Sequence, residues 1–131
     1  MQQIVPLLVV KDVLAAIDDY GRRLGFTAEF SHPPDKPMFA TVKRQMVRIM
    51  FEAEASYMSK DGTGFKPRNP RGLGIELHLV MADGIDAYYE TVMAAGADVI
   101  RPLFTTEYGM RQFTVRDAAG YLLTFIQHMT G

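Results

Sequence analysis

No cysteine occurs in this chain, which excludes disulfides, thiol nucleophiles and cysteine-type zinc sites. An excess of charge of either sign is also missing, with 14 Lys and Arg against 15 Asp and Glu. The net charge is −1, so there is no electrostatic footprint for nucleic acid or an acidic surface. The opening residues, MQQIVPLLVV, carry no basic n-region, and their apolar run stops at Lys11. That run is too short for a signal peptide or a membrane span, and the cytoplasm is the expected location. No glycine-rich phosphate loop exists, because Gly62-Thr-Gly64 lacks the following Lys-Ser/Thr and the strand-to-helix context. No Gly-x-Ser-x-Gly or other nucleophile motif is found.

What is present suffices for a packed core. The 131 residues are 48% hydrophobic and are expected to form one domain, 1–131. The 9 methionines read as core filler or as an adaptable binding surface, since the thioether is flexible and polarizable. Along the chain, Ile4–Val10 reads as a buried strand. Val13, Ala16, Ile17, Tyr20 and Leu24 then recur at helical spacing, with Asp12 as N-cap and Gly25 as the stop. Phe26–Ser31 is a second strand, and Met38–Lys43 with Met46–Ala53 a hairpin. Residues 54–72 form a long loop with Gly62, Gly64, Pro67, Pro70 and Gly72, a linker or flap. After it the pattern restarts: Ile75–Met81 a strand, Ile85–Ala95 a helix stopped by Gly96, and Asp98–Leu103, Met110–Val115 and Tyr121–Gln127 three strands. The last two are joined by the turn Asp117-Ala-Ala-Gly120.

The restart is an internal repeat. Val9-Val-Lys-Asp12 aligns with Val80-Met-Ala-Asp83, and Leu24-Gly-Phe26 with Ala95-Gly-Ala97, both at an offset of 71; Met50-Phe51 aligns with Thr124-Phe125 at an offset of 74. Each half is therefore βαβββ: module 1 is 1–53, the linker 54–72 and module 2 73–131. The expected fold is α+β, with the modules forming a curled eight-stranded mixed sheet around a cleft, helices outside.

P-L-L-V-V-K-D at 6–12, Leu24-Gly-Phe26 and Y-G-M-R-Q-F-T-V-R-D-A-A-G-Y-L-L-T-F at 108–125 carry a resemblance to the vicinal oxygen chelate superfamily. That superfamily includes glyoxalase I, extradiol dioxygenases, fosfomycin-resistance transferases and bleomycin-resistance proteins. The last stretch resembles its W-G-x-R-x-F-x-V-x-D-P-x-G-x-x-x-x-F signature, closest to the bleomycin-resistance-like branch. Tyr108 replaces Trp, and Ala118-Ala119 replaces Pro-Asp.

In metalloenzyme members, four inward His, Glu or Gln side chains hold a divalent ion. The resemblance places those positions at Val5, Met50, Glu76 and Thr124. Valine cannot coordinate, and thioether and hydroxyl are poor ligands for such ions. The resemblance so read implies no metal and no cofactor, with Thr124 standing where metalloenzyme relatives carry Glu.

Strand alternation puts Glu76, His78 and Val80 toward the cleft and Leu77, Leu79 and Met81 under the helix. Glu76 and His78 form a candidate ligand-binding pair; the plainer reading is a solvated rim or a dimer contact. Arg111 could hold an anionic or carbonyl group, or could be a structural ion pair with Asp117 or Glu107. Tyr108 and Phe39 offer flat surfaces to an aromatic ligand, although Phe39 reads more readily as core. Tyr57 and Phe65 in the long loop either pack back or close over a ligand, and Lys60, Lys66, Arg68 and Arg71 make it basic. The chain is expected to be a metal-free small-molecule-binding protein of the bleomycin-resistance type. It would sequester an aromatic or amphipathic ligand in a dimer-interface cleft, as a homodimer. The alternative is a lyase, isomerase or dioxygenase-like enzyme using Glu76 and His78 for proton transfer.

Overall fold

Proline has no backbone N–H to give to a sheet, and Pro6 decides where the first strand begins. Strand β1 is Leu7–Val10, not Ile4–Val10. The Pro6 carbonyl still accepts the Met50 N–H at 2.8 Å, but regular pairing starts one residue later, at Leu7 beside Met50. The computed structural model describes residues 2–57, 72 and 75–129. Contacts divide the chain into two units, Met1–Asn69 and Pro70–Gly131.

In unit 1, β1 leads to helix α1 (Val13–Asp19), which widens into a π-helical turn, Tyr20–Leu24. The Asp12 carboxylate caps α1 by accepting the Ala15 N–H at 3.1 Å. Gly25 ends it at φ 79°, the left-handed conformation that glycine adopts without penalty. Strands β2 (Thr27–His32), β3 (Phe39–Arg44) and β4 (Val47–Ala53) follow, then a short helix α2 (Glu54–Tyr57). Of the expected 54–72 loop, 54–57 are thus helical. Residues 58–71, with Lys60, Phe65, Lys66, Arg68 and Arg71, lie outside the described residues.

Unit 2 repeats the order with β5 (Glu76–Met81), α3 (Ile85–Ala94), β6 (Asp98–Thr105), β7 (Met110–Arg116) and β8 (Leu122–His128). The sheets run β1-β4-β3-β2 and β5-β8-β7-β6. In each, the first strand of the module lies parallel to the last, and the other pairs are antiparallel. The fold is α+β, two βαβββ modules with four strands each.

Each sheet buries one face under its own helix. Tyr20 meets Phe51 edge-on at 4.9 Å, and Tyr88 meets Phe125 at 5.0 Å. Leu79 and Phe113 join the second cluster, all buried. The opposite face, here the open face, is defined by alternation from these anchors. The edge strands β2 and β6 both carry an irregularity where the chain gains a residue, at Glu29 between Ala28 and Phe30 and at Ile100 between Val99 and Arg101. These two bulges occupy equivalent places in the repeat. Each turns the next residue, Phe30 or Arg101, onto the open face. Strand β6 has a second shift, between Arg101 and Phe104. No helix among the described residues is long and apolar enough to cross a membrane.

Candidate functional site

Register places His78 beside Thr124, Thr124 beside Thr114, and Thr114 beside Arg101. One row of side chains therefore crosses the open face of unit 2 from edge to edge, and all four can hydrogen-bond. Its neighbour, Val80–Ile126–Gln112–Phe104, is mainly apolar.

Glu76 ties the polar row together. One carboxylate oxygen, Oε2, lies 2.7 Å from His78 Nε2; the other, Oε1, accepts from the Arg101 guanidinium at 2.5 Å. Glu76 and His78 are i, i+2 on β5 and so share a face. Arg101 comes from β6, at the far edge of the sheet. A bond between the two edge strands must cross the face of β8 and β7, where Thr124 and Thr114 stand. Those hydroxyls bond each other at 2.7 Å, and both residues are 0% exposed. The hydrogen bond to His78, and then the one from Arg101, hold the Glu76 carboxyl below its ordinary range, against the opposing effect of burial. Arg101 and His78 stay accessible, their side chains 46% and 51% exposed.

Arg111 is placed elsewhere. It lies on the helix side of β7, where its guanidinium bonds Asp86 at 2.6 Å and Thr105 at 3.0 Å. The ion-pair partner is Asp86, in the first turn of α3, and not Asp117 or Glu107. Asp117 instead builds the β7–β8 turn, accepting the N–H groups of Ala119 and Tyr121 at 3.0 and 2.8 Å. Tyr108 stands in the β6–β7 turn, 89% exposed, away from the polar row in sequence and register. Phe39 belongs to unit 1, on the open face beside Glu52 and 6.2 Å from the Phe30 ring. Of the five expected ligand-binding residues, only Glu76 and His78 touch one another.

Sequence reasoning missed Arg101 and the threonine pair. A lone arginine within the apolar stretch of β6, followed by Pro102, was the available signal. The alternation Arg111–Phe113–Val115 likewise marks Arg111 as sharing the buried face.

The residues at the implied metal positions do not fit a divalent ion. Val5 offers no donor and Met50 a thioether. The Thr124 oxygen is bonded to Thr114, and both Glu76 oxygens are engaged by His78 and Arg101. Among the described residues no three His, Cys, Asp or Glu side chains gather as a metal-holding group.

Several solved structures share the architecture. TioX from Micromonospora sp. ML1 superposes with a TM-score of 0.79 at 23% identity, covering 97% of this chain and 99% of that one. A glyoxalase/bleomycin resistance protein/dioxygenase from Nocardioides gives 0.79 at 18% identity, covering 100% and 86%. A glyoxalase-related enzyme from Fulvimarina pelagi gives 0.74 at 18% identity, covering 97% and 88%. At these identities the likeness concerns the fold. No curated protein matches the chain. The family model of the Glyoxalase/Bleomycin resistance protein/Dioxygenase superfamily matches residues 2–125, nearly the whole sequence, and the chain belongs to that superfamily.

Proposed function

We propose that this chain is a metal-free small-molecule-binding protein of the bleomycin-resistance type. It works in the cytosol as a homodimer, holds an aromatic or amphipathic compound against its open sheet surface, and a second copy completes the cleft. The observation that carries this reading is the open face of unit 2, where a hydrogen-bonding row with accessible Arg101 and His78 adjoins an apolar row. Binding sites combine an apolar wall with a few convergent polar groups in this way. The donor set at the implied metal positions argues against a metal-dependent reaction.

The test is a thermal-shift screen of planar aromatic compounds, followed by titration of the best binder. His78→Ala should weaken binding about ten- to a hundredfold, the worth of a hydrogen bond to a charged partner, while the melting temperature stays near that of the parent. Equal affinity in the variant would remove His78 from the site. Sedimentation at micromolar concentration should give twice 14.7 kDa; a clean monomer would refute the dimer.

One observation favours a second reading, an isomerase or lyase. With Nε2 on Glu76, the other ring nitrogen of His78 is left to exchange a proton with a ligand, and the carboxylate orients the ring. Mass spectrometry of a bound compound after long incubation separates the two. Binding predicts unchanged ligand, and catalysis a product that disappears in His78→Ala.

A further inference from the structure

The groups on the open face of unit 2 are unequally satisfied. Both oxygens of Glu76 have partners, so this acid has little left for a cationic ligand. In the next row Arg116 and Asp98 face each other at 3.9 Å. The threonine hydroxyls serve one another and are closed to solvent. Arg101 differs. Its fork gives one N–H to Glu76, and its other N–H groups have no partner among the described residues. An exposed guanidinium with open donors matches a planar oxyanion, which it can grip with two parallel bonds.

The geometry points to an organic carboxylate as the ligand: an acid group on Arg101, with His78 alongside, and an aromatic or other flat apolar body against the exposed apolar side chains of the neighbouring row, Val80 and Phe104. This rests on the binding function proposed above and names the chemical class it serves. Successive rows on one face of a strand lie about 7 Å apart, roughly the distance from a carboxylate to the far ring of a bicyclic aromatic acid. Val80 and Phe104 are exposed large apolar residues beside the polar row, so the face is amphipathic in the sense the ligand must be. Glu76 orients Arg101 and His78, and it also competes, because its own carboxylate occupies part of the Arg101 fork.

That competition gives the test two variants of opposite sign. The probes are 2-naphthoate and its neutral isostere 2-naphthamide, titrated into the full chain at neutral pH and followed by amide resonances and affinity. The acid should bind about ten- to a hundredfold more tightly than the amide, moving the resonances of His78, Val80, Arg101 and Phe104. Arg101→Gln should bring the acid-to-amide ratio toward one. Glu76→Gln should raise affinity for the acid relative to the amide, since the internal anion is gone. Circular dichroism melts establish that both variants fold, and either variant alone decides the matter. Equal binding of acid and amide to the open face would overturn the carboxylate assignment and leave the binding function standing. A preference that survives Arg101→Gln would move the anion site to another residue. If neither probe moves any open-face resonance at millimolar concentration, both the assignment and the proposed site fall.

Discussion

The two units place the same backbone under different surfaces. In unit 2 the central open-face row is His78–Thr124–Thr114–Arg101; its counterpart in unit 1 is Leu7–Met50–Thr41–Phe30. One row is polar throughout, and the other keeps only a threonine. The next row reverses the contrast. Unit 1 carries the buried acid Glu52, bonded by the Ser56 hydroxyl at 2.8 Å, where unit 2 has Ile126. Beneath the helices the units agree. Phe51 and Phe125 are equivalent, and each takes a tyrosine ring edge-on. Yet Tyr20 and Tyr88 come from helix positions a turn apart in the repeat. The contact is retained while the position that supplies it moves. A core selects for volume and shape, whereas an open face is constrained only by what it must meet.

The largest effect that tests this division is in the cores. Phe51→Ala and Phe125→Ala should each cost about 3–5 kcal/mol in urea denaturation. A loss below about 1 kcal/mol in either unit would break the claimed equivalence. Next comes the threonine pair. Thr124→Val alone strands the Thr114 hydroxyl in a buried place and should cost about 1–3 kcal/mol, while Thr114→Val with Thr124→Val should recover most of that. Costs that simply add would show that the hydroxyls do not form a unit.

A smaller effect concerns acid. The folded Glu76 carboxyl titrates below its ordinary value, so the folded state gives up its proton more readily than the unfolded chain. Its contribution is complete above the ordinary carboxylate pKa of about 4.3 and disappears as pH falls through that value toward the lowered one. Glu76→Gln should flatten stability against pH in that window; parallel curves for parent and variant would contradict it. The smallest effect is that of Arg111→Ala, which breaks an ion pair between the partly covered arginine and the exposed Asp86 and should cost about 0.2–1 kcal/mol. A loss of ligand affinity there would return Arg111 to the site.

The repeat, the eight strands, both long helices, and the Asp12 cap with its Gly25 stop were legible because each follows from local chemistry: an apolar period, an N-capping carboxylate, a glycine at positive φ. The facing of Glu76, His78 and Val80 away from Leu77, Leu79 and Met81 follows from alternation along an unbroken strand. Alternation fails at a bulge, and Arg101 sits between two irregularities. Read as a regular strand, β6 would put Ile100 on the open face and Arg101 under the helix. The Arg101–Glu76 bond joins residues 25 apart in sequence and depends on sheet order β5-β8-β7-β6, which no local pattern states. The start of β1 was misjudged because Pro6 lies within an apolar run, and hydrophobicity there outweighed the missing N–H.

The two surplus residues in β6 bear on insertions and deletions. Measured against β7, the strand has one residue more than it needs between Val99 and Arg101, and another between Arg101 and Phe104. A chain lacking Ile100 could keep Arg101 opposite Thr114 by straightening the ladder, and one lacking Leu103 could keep Phe104 opposite Gln112 in the same way. Length change in this strand is therefore compatible with the same open-face row, whereas substitution at Arg101 alters the row itself. The edge can shed residues one at a time while the surface it presents stays the same.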